Sequence, residues 1–160
     1  MTRPTYAIYI PDMDNTDRKI LALLQSDNRT PMTALAEQTG LSVSAVNDRV
    51  RKLQGNGTIQ ENRAVLNPTI VGLELLAFLF IDLHQGADEE QFVKAIQELS
   101  EVQELHHVTG QHNYLAKVRV ANTQGLQQFL KQQLKRQPGV AHTETIVVLE
   151  SEKETTILPV

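Results

Sequence analysis

A Gly-Leu-Ser corner between two short apolar-periodic segments is the feature that most constrains this chain. Residues 30–54 read TPMTALAEQTG followed by LSVSAVNDRVRKLQ. Thr30 and Pro31 favour a helix start, because the hydroxyl can cap free N–H groups and proline suits the first helical position. Gly40 can adopt the left-handed conformation that ends a helix, and Ser42 can cap the next one. The pattern predicts two helices joined by a tight turn, which is a helix-turn-helix.

The second of these helices has one apolar and one polar face. Val46, Val50 and Leu53 recur at intervals of four and three residues, which predicts a buried stripe. The other face has small hydroxyls and an amide near its start and cations further on, as in helices that enter the DNA major groove. The alternative is a helical hairpin whose polar face meets only water, since such patterns also arise by chance. If the helix reads DNA, the contacts are expected from Ser42, Ser44, Ala45, Asn47, Arg49 and Lys52.

The composition limits the class of protein. A length of 160 residues allows one or two small domains, and the absence of cysteine argues against a disulfide framework and thiolate chemistry. The first twelve residues lack the features of a signal peptide, and the apolar run Leu75–Leu83 is too short to cross a bilayer. We therefore expect a cytoplasmic protein without membrane association.

The net charge of −4 is unevenly distributed. Residues 14–66 hold seven Lys or Arg against six Asp or Glu, whereas residues 67–160 hold seven against twelve. The basic groups of the first part cluster at Arg49, Arg51 and Lys52. Because affinity for DNA scales with the number of phosphates neutralised, one such weakly basic copy would bind DNA weakly. We therefore expect at least two copies to act together.

Further elements flank the helix-turn-helix. Asp14 can cap a preceding helix, in which Ile20, Leu21 and Leu24 form a buried stripe. Thr58–Leu66 is typical of an extended segment, either a wing or a linker strand. These features predict an N-terminal arm over residues 1–12, where Tyr6 to Ile10 could dock as a strand. They also predict a winged helix-turn-helix domain over 13–62 and a hinge over 63–73.

The second half alternates strands and helices. Strands are predicted over 74–84, 102–109, 114–120 and 140–150, with helices starting at Asp88 and at Asn122 or Thr123. The order βαββαβ predicts a ferredoxin-like sandwich over 74–160, so the whole chain is of the α+β class. Two helices cover one sheet face only, and the first strand is apolar on both faces. We expect the uncovered face to meet a second copy, with residues 155–159 packing near that interface.

Several spaced motifs give the chain a family resemblance. They are MDNTDRKILALLQSDNRT, LAEQTGLSVSAVNDRVRKLQGNGTI, NPTIVGL, VTGQHNYLAKVRV and PGVAHTETIVVL, in this order from Met13 to the C-terminus. In them the chain resembles the Lrp/AsnC (leucine-responsive and asparagine-operon) transcriptional regulators. The resemblance implies binding of double-stranded DNA, a small amino acid as effector and no other cofactor. It also implies homodimers that commonly assemble into octamers.

The resemblance further implies an effector site between neighbouring dimers. Gly110 lets the 109–114 turn leave backbone N–H groups free for a carboxylate. Asn113 stands where the family usually has Asp, and a neutral amide is a weaker ammonium acceptor, so we expect weak or altered affinity. The alternative is that the turn is only a hairpin, because asparagine tolerates turn conformations. The residues expected at the site are Thr109, Gly110, Gln111, His112, Asn113, Tyr114, Gln137 and His142.

An enzyme and a scaffold protein are the competing functions. The five histidines are the main argument for catalysis or a metal site. His106 and His107 are adjacent on a strand and must point to opposite faces, however, and no metalloprotease motif or phosphate loop accompanies them. We therefore expect neither enzymatic activity nor a metal. A sensor or scaffold that does not bind DNA remains the alternative, and salt-dependent binding to a promoter fragment would distinguish the two.

Overall fold

The chain forms two compact units. The computed structural model describes residues 13–160, so the expected N-terminal arm lies outside the described residues. One unit runs to Ala64 and includes Glu154–Val160, and the other is Val65–Lys153. The sequence-based boundaries place the last seven residues with the second domain, whereas their contacts in the structure are with the first unit. Within residues 13–160, none of the helices has the length and hydrophobicity needed to cross a membrane.

Three helices build the first unit: α1 (Asn15–Ser26), α2 (Met32–Thr39) and α3 (Val43–Gly55). A capping box opens α1, in which the Asp14 carboxylate accepts the Asp17 N–H and the Asp17 carboxylate accepts the Asp14 N–H. Gly40, at φ 72°, ends α2, and the hydroxyl of Ser42 caps α3. The predicted helix-turn-helix corner is confirmed. Its buried side chains are Ile20, Leu21, Leu35, Ala36, Val46, Val50 and Leu53.

Two local predictions in this unit are wrong. Thr30 does not cap α2; its hydroxyl donates to the carbonyl of Asp27 at 2.7 Å, and Pro31 occupies the cap position with no side-chain hydrogen bond. Thr30 thus lies one residue too early to reach the free N–H groups of α2. In addition, residues 60–67 form no strand. An extended segment becomes a strand only when a neighbour completes its hydrogen bonds, and none pairs with it within the described residues.

The second unit is a four-stranded antiparallel sheet with helices. Its strands are β1 (Leu75–Leu83), β2 (Val102–His107), β3 (Tyr114–Val120) and β4 (Val140–Val147). The order β2-β3-β1-β4 confirms the predicted βαββαβ sandwich. Helix α4 (Glu89–Gln97) and helix α5 (Thr123–Gln128) make the crossovers. From α5 the chain continues through a π-helical turn (Phe129–Gln133) and a 3-10 turn (Leu134–Arg136).

The two faces of the sheet differ. Ala77, Leu79 and Ile81 alternate into a core with side chains of both helices and of the π-helical turn, including Phe92, Leu126 and Phe129. The opposite surface, called the open face below, is apolar at its centre and only partly buried. Its central residues follow from the strand register and are Phe78, Phe80, Leu115 and Ile146. The apolar character of β1 on both faces is confirmed.

Candidate DNA and ligand sites

The exposed start of α3 presents small polar groups. Ser42 Oγ accepts the Ala45 N–H at 3.2 Å and lies 3.0 Å from Ser44 Oγ. The Asn47 side chain donates to the Val43 carbonyl at 3.0 Å, so its amide rests on its own helix. Two hydroxyls and an amide therefore stand in the first two turns, where a helix in the major groove meets base edges.

Arg49 has a different environment from the other predicted DNA contacts. One of its guanidinium nitrogens, Nη1, lies 2.7 Å from Asp14 Oδ2 and 2.7 Å from Asp17 Oδ1. These bonds raise the pKa of Arg49, whereas the pKa of Asp14 is lowered first by the Asp17 N–H and then by Arg49. Arg49 therefore joins α3 to the start of α1, while the side chain of Lys52 is exposed.

The turn between β2 and β3 is attached to the end of β1. Gly110 has φ 120°, a conformation that side chains disfavour, and Thr109, Gly110 and Gln111 are exposed. Asn113 closes the hairpin by accepting the Val108 N–H through its carbonyl. Its side-chain oxygen also accepts the Leu83 N–H at 2.9 Å. The Asn113 amide therefore has a structural partner in this chain.

His112 extends this attachment across the open face. Its Nδ1 lies 3.2 Å from both carboxylate oxygens of Asp82, and its Nε2 lies 3.7 Å from Glu144 Oε2. The ring stacks on Phe80 with centroids 4.7 Å apart. In the strand register Asp82 pairs with His142. The turn and the start of β4, both predicted from the sequence, thus meet at Asp82, which was not predicted although it is the first charge after the apolar run of β1.

A cavity of about 320 Å³ lies beside the start of β4. It is lined by Lys135, Val140, Ala141, His142 and Thr143. Lys135 was not predicted, although a cation just before the Pro138-Gly139 break was a usable signal. Gln137 is not among the lining residues, because its side chain folds back to donate to the Gln133 carbonyl at 3.1 Å. The cavity combines an ammonium group with an imidazole.

Tyr114 belongs to the core instead of the turn surface. It is 4% exposed, its ring lies 5.0 Å from that of Phe92, and its hydroxyl donates to Glu89 at 3.1 Å. Burial raises the pKa of Tyr114, and the nearby Glu89 carboxylate raises it further. Of the eight residues predicted for the effector site, Tyr114 and Gln137 therefore have their side chains engaged elsewhere.

The adjacent histidines point to opposite sides of β2, as predicted. His106 Nε2 lies 3.2 Å from Glu104, whereas His107 stacks on Tyr114 with ring centroids 4.9 Å apart. The His106 bond and then Lys117 lower the pKa of Glu104. Over the described range 13–160, no three or more His, Asp or Glu side chains are grouped so that they could hold a metal ion.

Known proteins match both units of the chain. A model of the AsnC-type helix-turn-helix domain matches residues 13–54, and a model of the Lrp/AsnC ligand-binding domain matches residues 76–158. The leucine-responsive regulatory proteins of Klebsiella pneumoniae and Escherichia coli K12 are 42% identical to this chain over 145 residues. Each alignment covers 89% of this chain and 88% of the relative.

Solved structures share the fold over nearly the whole chain. A Neisseria meningitidis transcriptional regulator in complex with L-methionine has a TM-score of 0.88 at 30% identity, covering 92% of this chain and 96% of that one. Escherichia coli AsnC has a TM-score of 0.82 at 30% identity, covering 92% and 99%. These relatives are transcriptional regulators, which favours the DNA-binding interpretation over the scaffold. With a DNA-binding helix-turn-helix and a ligand-binding domain in one chain, the protein belongs to the Lrp/AsnC family of transcriptional regulators.

Proposed function

We propose that this regulator reads paired DNA half-sites through α3 and changes its DNA binding or its assembly when a small amino acid binds. The observation that carries the effector part is the meeting of acidic and basic groups at one end of β1. Asp82 and Glu144 lie around His112, and His142, the register partner of Asp82, lines a cavity with Lys135. A zwitterion needs groups of both charges, and the residues at this end of the sheet include both carboxylates and an ammonium group.

In the DNA-binding part, the six predicted residues have different roles. Ser44, Ala45 and Asn47 face base edges, and Ser42 caps the helix and lies near a phosphate. Asn47 must exchange its bond with the Val43 carbonyl for a base edge. Lys52 neutralises phosphate, whereas Arg49 holds α3 in position through Asp14 and Asp17.

In the effector part, Asp82 instead of residue 113 is the acceptor for the ammonium group of the effector. The side-chain oxygen of Asn113 already accepts the Leu83 N–H, so the ammonium group of the effector is accepted by Asp82, with Glu144 beside it. The carboxylate of the effector meets the N–H groups of the 109–113 turn and Lys135. Hydrogen bonds that involve a charged group are roughly twice as strong as neutral ones, which favours this assignment. The relatives bind or respond to L-methionine and leucine by their names, which supports an amino acid ligand.

The partner proposed for the open face is a second copy of this chain. Phe78, Phe80, Leu115 and Ile146 form an apolar surface that a monomer leaves partly in water. A two-fold pair of sheets covers it and supplies two copies of α3 for half-sites about one helical turn apart. Further assembly of dimers, up to an octamer, would compensate for the few cations of each copy.

Titration calorimetry with each of the twenty amino acids tests the effector site. We expect heat of binding from at least one small apolar amino acid. Asp82→Asn should bind this amino acid at least about tenfold more weakly than wild type, since hydrogen bonds to charged groups contribute roughly 1.5–3 kcal/mol. Asp48→Asn, an equivalent change on the exposed face of α3, is the control and should bind as wild type does. No heat from any amino acid, together with unchanged sedimentation and DNA binding, would exclude this class of effector.

A further inference from the structure

The C-terminal tail, residues 154–160, contacts α1 through Gln25. Gln25 accepts the N–H of Leu158 through Oε1 at 2.8 Å and donates through Nε2 to the carbonyl of Leu158 at 3.1 Å. Within the tail, Thr155 Oγ1 accepts the Ile157 N–H at 3.1 Å. One primary amide thus satisfies both backbone groups of Leu158, as a neighbouring β-strand would. The contact involves the backbone of Leu158 and does not depend on its side chain.

Docking of the tail rests on these polar bonds more than on apolar burial. The side chains of Ile157 and Leu158 remain 59% and 67% exposed while the tail is docked. Each exposed hydrogen bond contributes little net free energy in water, so the two bonds together contribute a factor on the order of tenfold in favour of the docked tail. Removal of these two bonds should therefore be enough to shift the tail away from α1.

The tail provides a second connection between the two units because of its place in the sequence. The tail follows β4, whose first residues line the cavity beside Lys135, yet it belongs to the DNA-binding unit. With the tail docked, the ligand-binding unit is joined to the DNA-binding unit at both ends of its sequence, near Val65 and near Lys153. A domain that is joined to its neighbour by two connections has fewer orientations available than a domain on a single linker. It therefore loses less conformational entropy when it binds a target at a fixed position.

We propose that the end of α1 at Gln25 is a docking site for the C-terminal tail, and that the docked tail is a second tether that favours binding to paired half-sites. A half-site is the DNA element that one α3 occupies, and this inference rests on the paired-site recognition proposed above. Binding to a single half-site depends only on contacts of α3 and is independent of the tether. Binding to two half-sites at a fixed spacing requires two DNA-binding units to be placed together, and there the tether contributes.

Amide exchange measured by NMR on the full chain tests the docking. In wild type the Leu158 amide should exchange about tenfold more slowly than in Gln25→Ala, in line with the docking ratio estimated from two exposed bonds. Gln38→Ala removes an exposed glutamine from α2 and should leave the Leu158 amide as slow as in wild type. Equal exchange of this amide in all three proteins would overturn the docking site.

DNA binding on two fragments tests the tether. On a fragment with two half-sites, Gln25→Ala should bind several-fold to about tenfold more weakly than wild type, whereas a single half-site should be bound equally. Leu158→Pro removes the N–H donor but keeps the carbonyl acceptor, so it should give a smaller reduction of the same kind. No reduction, or the same reduction on both fragments, overturns the tether. A wild-type protein that shows no preference for two half-sites contradicts the paired-site proposal itself and thereby the tether built on it.

Discussion

Arg49 and Lys52, two cations on α3, differ in whether carboxylates of the same chain already neutralise their charge. Both follow Ser44, Ala45 and Asn47, the residues proposed to read bases, along the polar face of α3, and the sequence does not distinguish their roles. In the structure Arg49 donates to Asp14 and Asp17, the two carboxylates of the α1 capping box, whereas the side chain of Lys52 is exposed to solvent. An arginine with two carboxylate partners releases few counterions from DNA, because its charge is already compensated.

Salt titrations of DNA binding separate these two roles. Lys52→Ala should reduce the slope of log affinity against log salt by about 0.9, because one phosphate is no longer neutralised. Arg49→Ala should leave that slope unchanged but lower the melting temperature, because two aspartates no longer have their arginine partner. The measurement is fluorescence anisotropy of labelled DNA over a KCl series, with Lys94→Ala on α4 as the control. If the slope also falls in Arg49→Ala, Arg49 leaves its aspartates on DNA and is a phosphate contact.

At the scale of the element, the placement of β4 depends on the backbone conformation of Gly139, which precedes the strand. Gly139 has φ +81°, and a Cβ built there would lie 2.7 Å from the Cβ of Ala87. Its carbonyl accepts the His84 N–H at 2.8 Å, which joins the start of β4 to the end of β1. Gly86 has nearly the same φ, +80°, but nothing lies within 4 Å of its Cβ position. The two glycines differ in surrounding space and hardly in conformation.

Alanine substitutions at Gly86 and Gly139 should therefore distinguish the cost of a left-handed backbone from the cost of steric overlap with Ala87. Gly86→Ala should cost about 1–2 kcal/mol of unfolding free energy, the penalty for an L-residue in the left-handed region. Gly139→Ala should carry that penalty and about 1–3 kcal/mol more, because β4 or Ala87 must move to relieve the overlap. Urea unfolding with a common slope measures both. Equal destabilisation would show that the overlap with Ala87 relaxes without cost.

The helical segment that begins with α5 departs from regular α-helical geometry where its side chains pack into the core. The sequence predicts a helix that starts at Asn122 or Thr123, and its buried side chains include Leu126, Phe129 and Leu134. The π-helical turn at residues 129–133 widens that helix, so Phe129 and Leu134, five residues apart, are both 1% exposed. In a regular α-helix these two side chains would point in directions that differ by more than a quarter turn.

For the molecule as a whole, the open face is the surface proposed to bind a second copy of the chain. Neighbouring residues on the edge strand β4 point to opposite sides of the sheet. Ile146 pairs with Phe78 on the open face, and Val147 pairs with Ala77 on the helix-covered side. The two side chains are similarly exposed, at 47% and 42%, so they form a matched pair for testing which face associates.

Of the two lysine substitutions at this pair, only Ile146→Lys should change assembly. Ile146→Lys should shift the protein towards monomers, because it buries a charge in the proposed dimer interface. Val147→Lys should sediment as wild type does, since its side chain is outside that interface. Sedimentation velocity at micromolar concentration makes the comparison. Monomeric wild type, or equal dissociation of both variants, would contradict association through the open face.

Much of the fold could be predicted because its determinants are local. The cap of α3 by Ser42 spans three residues, the left-handed end of α2 is one glycine, and strand and helix periodicities repeat over a few positions. The wing strand over 58–66 could not be decided in this way. Whether an extended segment becomes a strand depends on a hydrogen-bonding neighbour from elsewhere in the chain.

The details of the candidate sites depended on tertiary structure. Arg49 meets Asp17 across 32 positions, His112 meets Asp82 across 30, and Gln25 meets Leu158 across 133. Periodicity places a side chain on a face of its own helix or strand, and it carries no information on which distant group faces it. The sequence alone therefore determined most of the helices and strands, their order and the family. Only the packed structure decided which charges are neutralised within the chain and where the tail lies, because these depend on distances between residues far apart in sequence.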